Sequence, residues 1–199
     1  MRKRIGMYVM AAALGAGLLA GCAMYQDREQ PPTSLNEMMK MYEKLNAPGP
    51  EHARFKDAVG TWKTETKMWM GPGEPSVFNG TSKMDLVFDG RYLKEQYRCL
   101  MMEKPFEGLG LLGYDNHKKK YVSIWLDNLS TGIIMTKGTR DEATKTTTMM
   151  GEYDDPLMGP VKMKNVIREL SKDNIVFETY RIGPDGKERK EMEITYTRE

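Results

Sequence analysis

The stretch RYLKEQYRCLMM, residues 91–102, alternates with a period of two. Lys94, Gln96 and Arg98 fall on one side, and Leu93, Glu95, Tyr97, Cys99 and Met101 on the other. Successive side chains of a strand point to opposite faces, so this reads as a strand with one wet and one covered face. TWKTETKMWM, residues 61–70, repeats the pattern. Lys63, Glu65 and Lys67 mark its wet side, and Trp62, Thr64, Thr66, Met68 and Met70 are expected inside. In the last run Glu191 and Glu193 are expected outside, with Met192, Ile194, Tyr196 and Arg198 inside. KYVSIWLD, residues 120–127, is ambiguous, because Val122, Ile124 and Leu126 oppose Tyr121, Ser123 and Trp125.

From Thr61 to the end about ten such runs follow one another. Turn signals such as Asp89-Gly90, Asp115-Asn116 and Pro184-Asp185-Gly186 separate them. Short connections pair neighbours as antiparallel hairpins, and no segment has the length of a parallel crossover. Up-and-down order leaves two bare edges unless the sheet closes. The predicted fold is therefore all-β: a closed antiparallel up-and-down β-barrel of about ten strands over residues 60–199. A two-sheet sandwich is the alternative. Residues 34–59 read as a helical segment. Ser34 and Glu37 form a capping box for a helix to about Leu45, with Met38, Met39, Met41, Tyr42 and Leu45 as its apolar stripe. A second short helix is expected from Pro50 to Val59, before Gly60.

The inferred interior mixes threonine, methionine and tyrosine with one carboxylate, Glu95. A buried unpaired carboxylate is costly. Either Glu95 pairs with an arginine such as Arg181 or Arg198 and the barrel is filled, or the interior is a partly solvated cavity. A cavity of about 300 Å³ or more would take one small, partly apolar molecule. Its candidate lining is Thr64, Thr66, Met68, Glu95, Tyr97, Trp125 and Tyr196.

The chain opens with Arg2, Lys3 and Arg4, followed by an uncharged run from Ile5 to Ala20. As a helix that run spans ~24 Å, short of the ~30 Å hydrocarbon core, so it reads as a secretory signal. Leu19-Ala20-Gly21-Cys22 resembles the lipobox of bacterial lipoproteins. The resemblance implies cleavage between Gly21 and Cys22, leaving a signal peptide of residues 1–21. It also implies attachment of diacylglyceryl and an N-terminal acyl chain such as palmitate at Cys22. Residues 22–33, ending in Pro31-Pro32-Thr33, then form a tether. Ala23, not aspartate, follows the cysteine, which by the same resemblance implies an outer-membrane position facing the periplasm in a diderm host. Loss of the signal reduces the 30 basic residues to 27, against 28 acids. A near-neutral mature chain has no electrostatic case for nucleic acid. With Cys22 acylated, Cys99 has no partner for an internal disulfide.

Gly60-Thr61-Trp62 with a terminal inward Arg198 resembles the closing pair of the calycin group, the lipocalins, fatty-acid-binding proteins and nitrobindin-like barrels. There the pair is structural. Phe106-Glu107-Gly108 through Gly113-Tyr114-Asp115, Trp125-Leu126-Asp127, Ser130-Thr131-Gly132, Gly90-Arg91-Tyr92-Leu93, Gly151-Glu152-Tyr153 and Met192-Glu193-Ile194 occur in the order of the domain-of-unknown-function 1579 family. The resemblance runs from about Pro50 to Glu199 and brings no assigned activity. A calycin-like fold is what it implies.

Neither histidine, His52 or His117, has a ligand-spaced partner, so no metal or other cofactor is expected. A nitrobindin-like haem would need an inward histidine where Tyr196 and Arg198 stand. Neither histidine lies on an inward strand to serve as a base, so the protein is not expected to be an enzyme. The expectation is a lipid-anchored envelope protein that binds a small molecule in its barrel. The alternatives are a filled-barrel interaction lipoprotein with an unspecified protein partner and, third, an acid/base enzyme. In cells, Cys22→Ser is expected to stay uncut and unacylated, visible as a mass increase and as loss of radiolabelled palmitate. A processed, membrane-bound Cys22→Ser chain would refute the lipobox reading.

Overall fold

The computed structural model describes residues 34–199. The signal, the tether and Cys22 lie outside the described residues. Two compact units divide at Lys44/Leu45. The first holds α1 (Leu35–Leu45) up to that division. Its start is a reciprocal cap: Glu37 N–H donates to Ser34 Oγ, and Ser34 N–H donates to Glu37 Oε2, both at 3.2 Å. None of its residues is buried.

The second unit begins with two short helices, α2 (Pro50–Ala53) and α3 (Phe55–Ala58), where the sequence suggests one. Bonds from His52 N–H to Gly49 O and from Asp57 N–H to Arg54 O close tight three-residue turns, so a continuous ladder does not run through Arg54. Ten strands follow: β1 (Gly60–Met68), β2 (Ser76–Val87), β3 (Tyr92–Met101), β4 (Lys104–Asp115) and β5 (Lys120–Asp127), then β6 (Ile134–Asp141), β7 (Thr146–Asp155), β8 (Gly159–Ser171), β9 (Asn174–Ile182) and β10 (Glu188–Arg198). Each pairs antiparallel with its neighbour in sequence, and β1 pairs with β10, closing the barrel.

The seam sets Trp62 opposite Arg198. The guanidinium lies 4.1 Å from the indole centroid, and Trp62 is fully buried. Trp62 Nε1 donates to Ala58 O at 2.9 Å. Arg198 donates to the carbonyls of Val59, Asp57 and Lys172 and pairs with Asp173. These bonds hold α3 over one end of the barrel. Phe55 meets Tyr121 edge-on there, and buried His52 meets Phe55 and Tyr114. Arg140, nearly fully buried, makes a bidentate pair with Glu169 at 2.6 and 2.9 Å at the same end.

The structure corrects inward Met70 and outward Glu191 and decides the ambiguous β5. Met70 is 73% exposed, because β1 ends at Met68 before the Gly71-Pro72-Gly73 turn. Glu191 is half-buried and pairs with Arg181 at 2.7 Å, because a bulge between Lys190 and Met192 interrupts the alternation. In β5 the covered face is Tyr121, Ser123 and Trp125. Ser123 shares a 2.7 Å hydrogen bond with buried Thr136, and Trp125 meets buried Tyr97 edge-on. Val122, Ile124 and Leu126 therefore face outward.

Gly108 explains how Trp125 fits. A Cβ there would lie 2.2 Å from the indole ring, whereas one on Gly110 would lie 3.4 Å away. Gly108→Ala is expected to destabilise the fold by about 1–3 kcal/mol through overpacking. Gly110→Ala should stay within about 1 kcal/mol of wild type. Urea midpoints at unchanged slope check both.

Candidate functional site

The inward residues of four adjacent strands, β10, β1, β2 and β3, converge on Glu95. Register places Tyr196 beside Thr64, Trp62 beside Ser82, and Met84 beside Glu95. Ser82 Oγ donates to Glu95 Oε1 at 2.7 Å, and Tyr196 OH donates to the same oxygen at 3.1 Å. One strand position on, Tyr97 OH and Thr66 Oγ1 share a 2.8 Å hydrogen bond. Tyr97 also meets Phe106 and Trp125 edge-on, at 5.9 and 6.4 Å between centroids. Trp125 Nε1 donates to Asp127 Oδ2 at 2.9 Å, which fixes the indole.

Of the residues expected to line a cavity, Thr64, Thr66, Tyr97 and Tyr196 are buried, and Met68, Glu95 and Trp125 are half-buried. Contacts link them in two groups, Glu95 with Tyr196, and Tyr97 with Thr66 and Trp125. Met68 sits at the other end of β1, opposite Met192. Ser82, fully buried, is the functional side chain that sequence reasoning passed over. Its signal was the alternation in TSKMD, where Lys83 and Asp85 face out and Ser82 and Met84 face in.

No arginine reaches Glu95 among the described contacts. Arg181 pairs with Glu191, and Arg198 with Asp173. Burial raises the Glu95 carboxyl above the usual carboxylate range, and the hydrogen bonds from Ser82 and Tyr196 offset only part of that. Burial likewise pushes Tyr97 up to about 12 and raises Tyr196 well above its ordinary value, with Glu95 adding to the latter. Glu178 is the opposite case. It is 4% exposed, and burial alone would raise it, yet Lys190 and Arg168 bond to it and hold it below its ordinary value.

Two cavities lie on the outer wall. One of 510 Å³ is lined by Thr139, Arg140, Asp141, Thr144, Thr146, Thr148 and Arg168. One of 160 Å³ is lined by Thr61, Thr81, Ser82, Lys83, Gln96 and Arg98. Neither is the 300 Å³ chamber anticipated around the candidate lining. Trp62, Tyr97, Trp125 and Tyr196 take up the middle of the lumen with their rings. Glu95 is half-buried although it points inward between Met84 and Gly110.

The barrel ends differ. Alternate hairpins share an end, and opposite the helical cap these carry exposed Met70, Met102, Leu129, Ile133, Leu157 and Met158. The hairpins at the capped end carry one large exposed apolar residue, Phe88.

Glu95 gives a pH test. Its folded value is raised, so between the ordinary carboxylate value of about 4.3 and the folded value the folded state holds more protons than the unfolded one. Stability contributed by this group is therefore lost as pH rises through that window. Glu95→Gln keeps an oxygen for Ser82 and Tyr196 and removes the charge. It is expected to melt above wild type at neutral to alkaline pH, the difference shrinking toward about pH 4. Melting curves across pH check this.

No curated protein matches the sequence. Among solved structures, the S-type phycobiliprotein lyase CPES from Guillardia theta is similar at 12% identity and a TM-score of 0.53, over 79% of this chain and 97% of that one. A redesigned β-barrel is similar at 14% identity and a TM-score of 0.38, over 73% of this chain and 94% of that one. At such identity the lyase likeness concerns the fold, a calycin-like closed barrel. The model of a family described as "protein of unknown function", DUF1579, matches residues 47–198, most of the chain, and the protein belongs to that family.

Proposed function

We propose that this protein is a lipid-anchored envelope component whose barrel binds a small, partly apolar molecule without transforming it. One observation carries the reading: a lumenal carboxyl that is only half-buried, with two hydroxyl donors on one oxygen and no cation bonded to it among the described residues. Such an arrangement costs stability, and a ligand that satisfies it recovers that cost. Aromatic rings of Tyr97 and Trp125 beside Glu95, with the apolar residues around the uncapped end, suit a molecule with an apolar body. The phycobiliprotein lyase shares the closed-barrel fold, and that supports a binding use of the fold here. The lipobox-like Leu19-Ala20-Gly21-Cys22 supports the anchor and the periplasm-facing position in the outer membrane.

A second reading, a filled barrel that serves as an interaction protein, is favoured by a separate observation. Leu109 and Leu126 are register neighbours on the outer wall, as are Leu111 and Ile124, and Ile124 adjoins exposed Met135. This stripe is apolar where a solvated wall would be charged.

Native mass spectrometry of the full chain, purified in mild detergent, separates the two. A co-purifying small molecule that is lost in Glu95→Trp is expected. A bare mass, with no thermal shift across a metabolite and lipid library, would refute the binding reading. If Leu126→Lys/Met135→Lys alone abolished a specific protein cross-link, the second reading would stand.

A further inference from the structure

We propose that the lumen selects an organic cation, a molecule with an apolar body and a protonated amine or amidine that donates to Glu95 Oε2. The inference rests on the binding reading above and names the ligand class for the same site.

Ser82 and Tyr196 both donate to Glu95 Oε1, so its acceptor capacity is used. Oε2 accepts from no donor among the described residues and leans over Gly110, 3.5 Å from where a Cβ would stand. The Trp125 ring lies 3.4 Å from that same point. The absent side chain at Gly110 thus leaves Oε2 beside an aromatic ring. A carboxylate edge next to indole and phenol rings favours positive charge by both Coulomb attraction and cation–π contact.

Charge bookkeeping among the described residues points the same way. Arg140 is taken by Glu169, Arg181 by Glu191, and Arg198 by Asp173 and backbone carbonyls. The lumen around Glu95 therefore offers an anionic ligand no free cation. Glu178 shows what this chain does with a buried carboxylate meant to stay filled: it supplies Arg168 and Lys190. Glu95 has no such partner of its own.

The groups that face Glu95 are Ser82 and Met84 on β2, Tyr97 along β3, Gly110 on β4, Trp125 on β5 and Tyr196 on β10. The two tyrosines stay neutral, since burial raises both. When an ammonium group docks on protonated Glu95, the Oε2 proton leaves to solvent and an ammonium–carboxylate pair forms. Binding therefore strengthens as pH rises until Glu95 is ionised in the empty protein.

The test uses a matched series, 4-phenylbutylamine, 4-phenylbutanol and 4-phenylbutanoate, titrated calorimetrically into the full chain in nanodiscs with empty nanodiscs as blank. The amine is expected to bind roughly 10- to 100-fold more tightly than the alcohol, with the carboxylate weakest. Glu95→Gln is expected to erase that preference and the pH dependence, its melting curve showing that it is folded. Tyr196→Phe, which removes one donor from Oε1, is expected to keep the amine preference and move the pH midpoint of binding upward. A carboxylate that binds as tightly as the amine, or an amine preference that persists in Glu95→Gln, would overturn the proposal. If none of the three binds but a natural ligand co-purifies and is not a cation, cation selection falls while the binding reading stands. If none binds and nothing co-purifies, both fall.

Discussion

The seam between β1 and β10 is the constraint on which the rest of the barrel depends. Trp62 and Arg198 face each other across it, and Arg198 spends its donors on carbonyls of Asp57, Val59 and Lys172. One residue thus fastens the last strand, the capping helix α3 and the β8–β9 turn. A slip of one residue would turn every side chain of β10 to the other face. Tyr196 would then leave the lumen, and Glu95 would lose one of its two donors. The candidate site exists because the seam holds this register.

Two buried carboxylates in the same sheet show how context sets chemistry. Glu178 lies on the outer wall, yet Arg168 and Lys190 cover and neutralise it, and it stays ionised. Glu95 lies on the inner wall with two hydroxyls and, among the described residues, no cation, and burial lifts its carboxyl. Hydroxyl donors orient a carboxylate but bring no net charge. The first arrangement is complete in itself, whereas the second is left to be completed by something else.

The lumen is neither an empty chamber nor an aliphatic core. Gly108 lets the Trp125 indole lie against β4, and Asp127 pins its nitrogen. Tyr97 stands against that ring and Phe106 while its hydroxyl meets Thr66. Rings with fixed polar ends fill space, and Glu95 beside them is only half-buried.

The strand count, the up-and-down order and the inner faces of β1 through Met68, of β3 and of β10 from Met192 onward were legible in the chain. So was the Ser34–Glu37 cap. These features depend on residues two to four apart, or on turns of a few residues, and local patterns report them. The split of the second helix at Arg54, the Glu191 bulge and the outward Val122-Ile124-Leu126 face were not. Both faces of KYVSIWLD are largely apolar, so alternation carries no direction there, and a bulge shifts the phase without a mark in composition. The candidate site was half legible. Alternation puts Glu95, Tyr97 and Tyr196 inside, and it marks Ser82 as well. That Ser82 and Tyr196 share one oxygen of Glu95, and that no arginine arrives at the other, was decided by tertiary structure alone. Tyr196 and Glu95 are 101 residues apart. Only barrel closure and register bring such groups within hydrogen-bond distance, and neither is encoded in any single stretch of sequence.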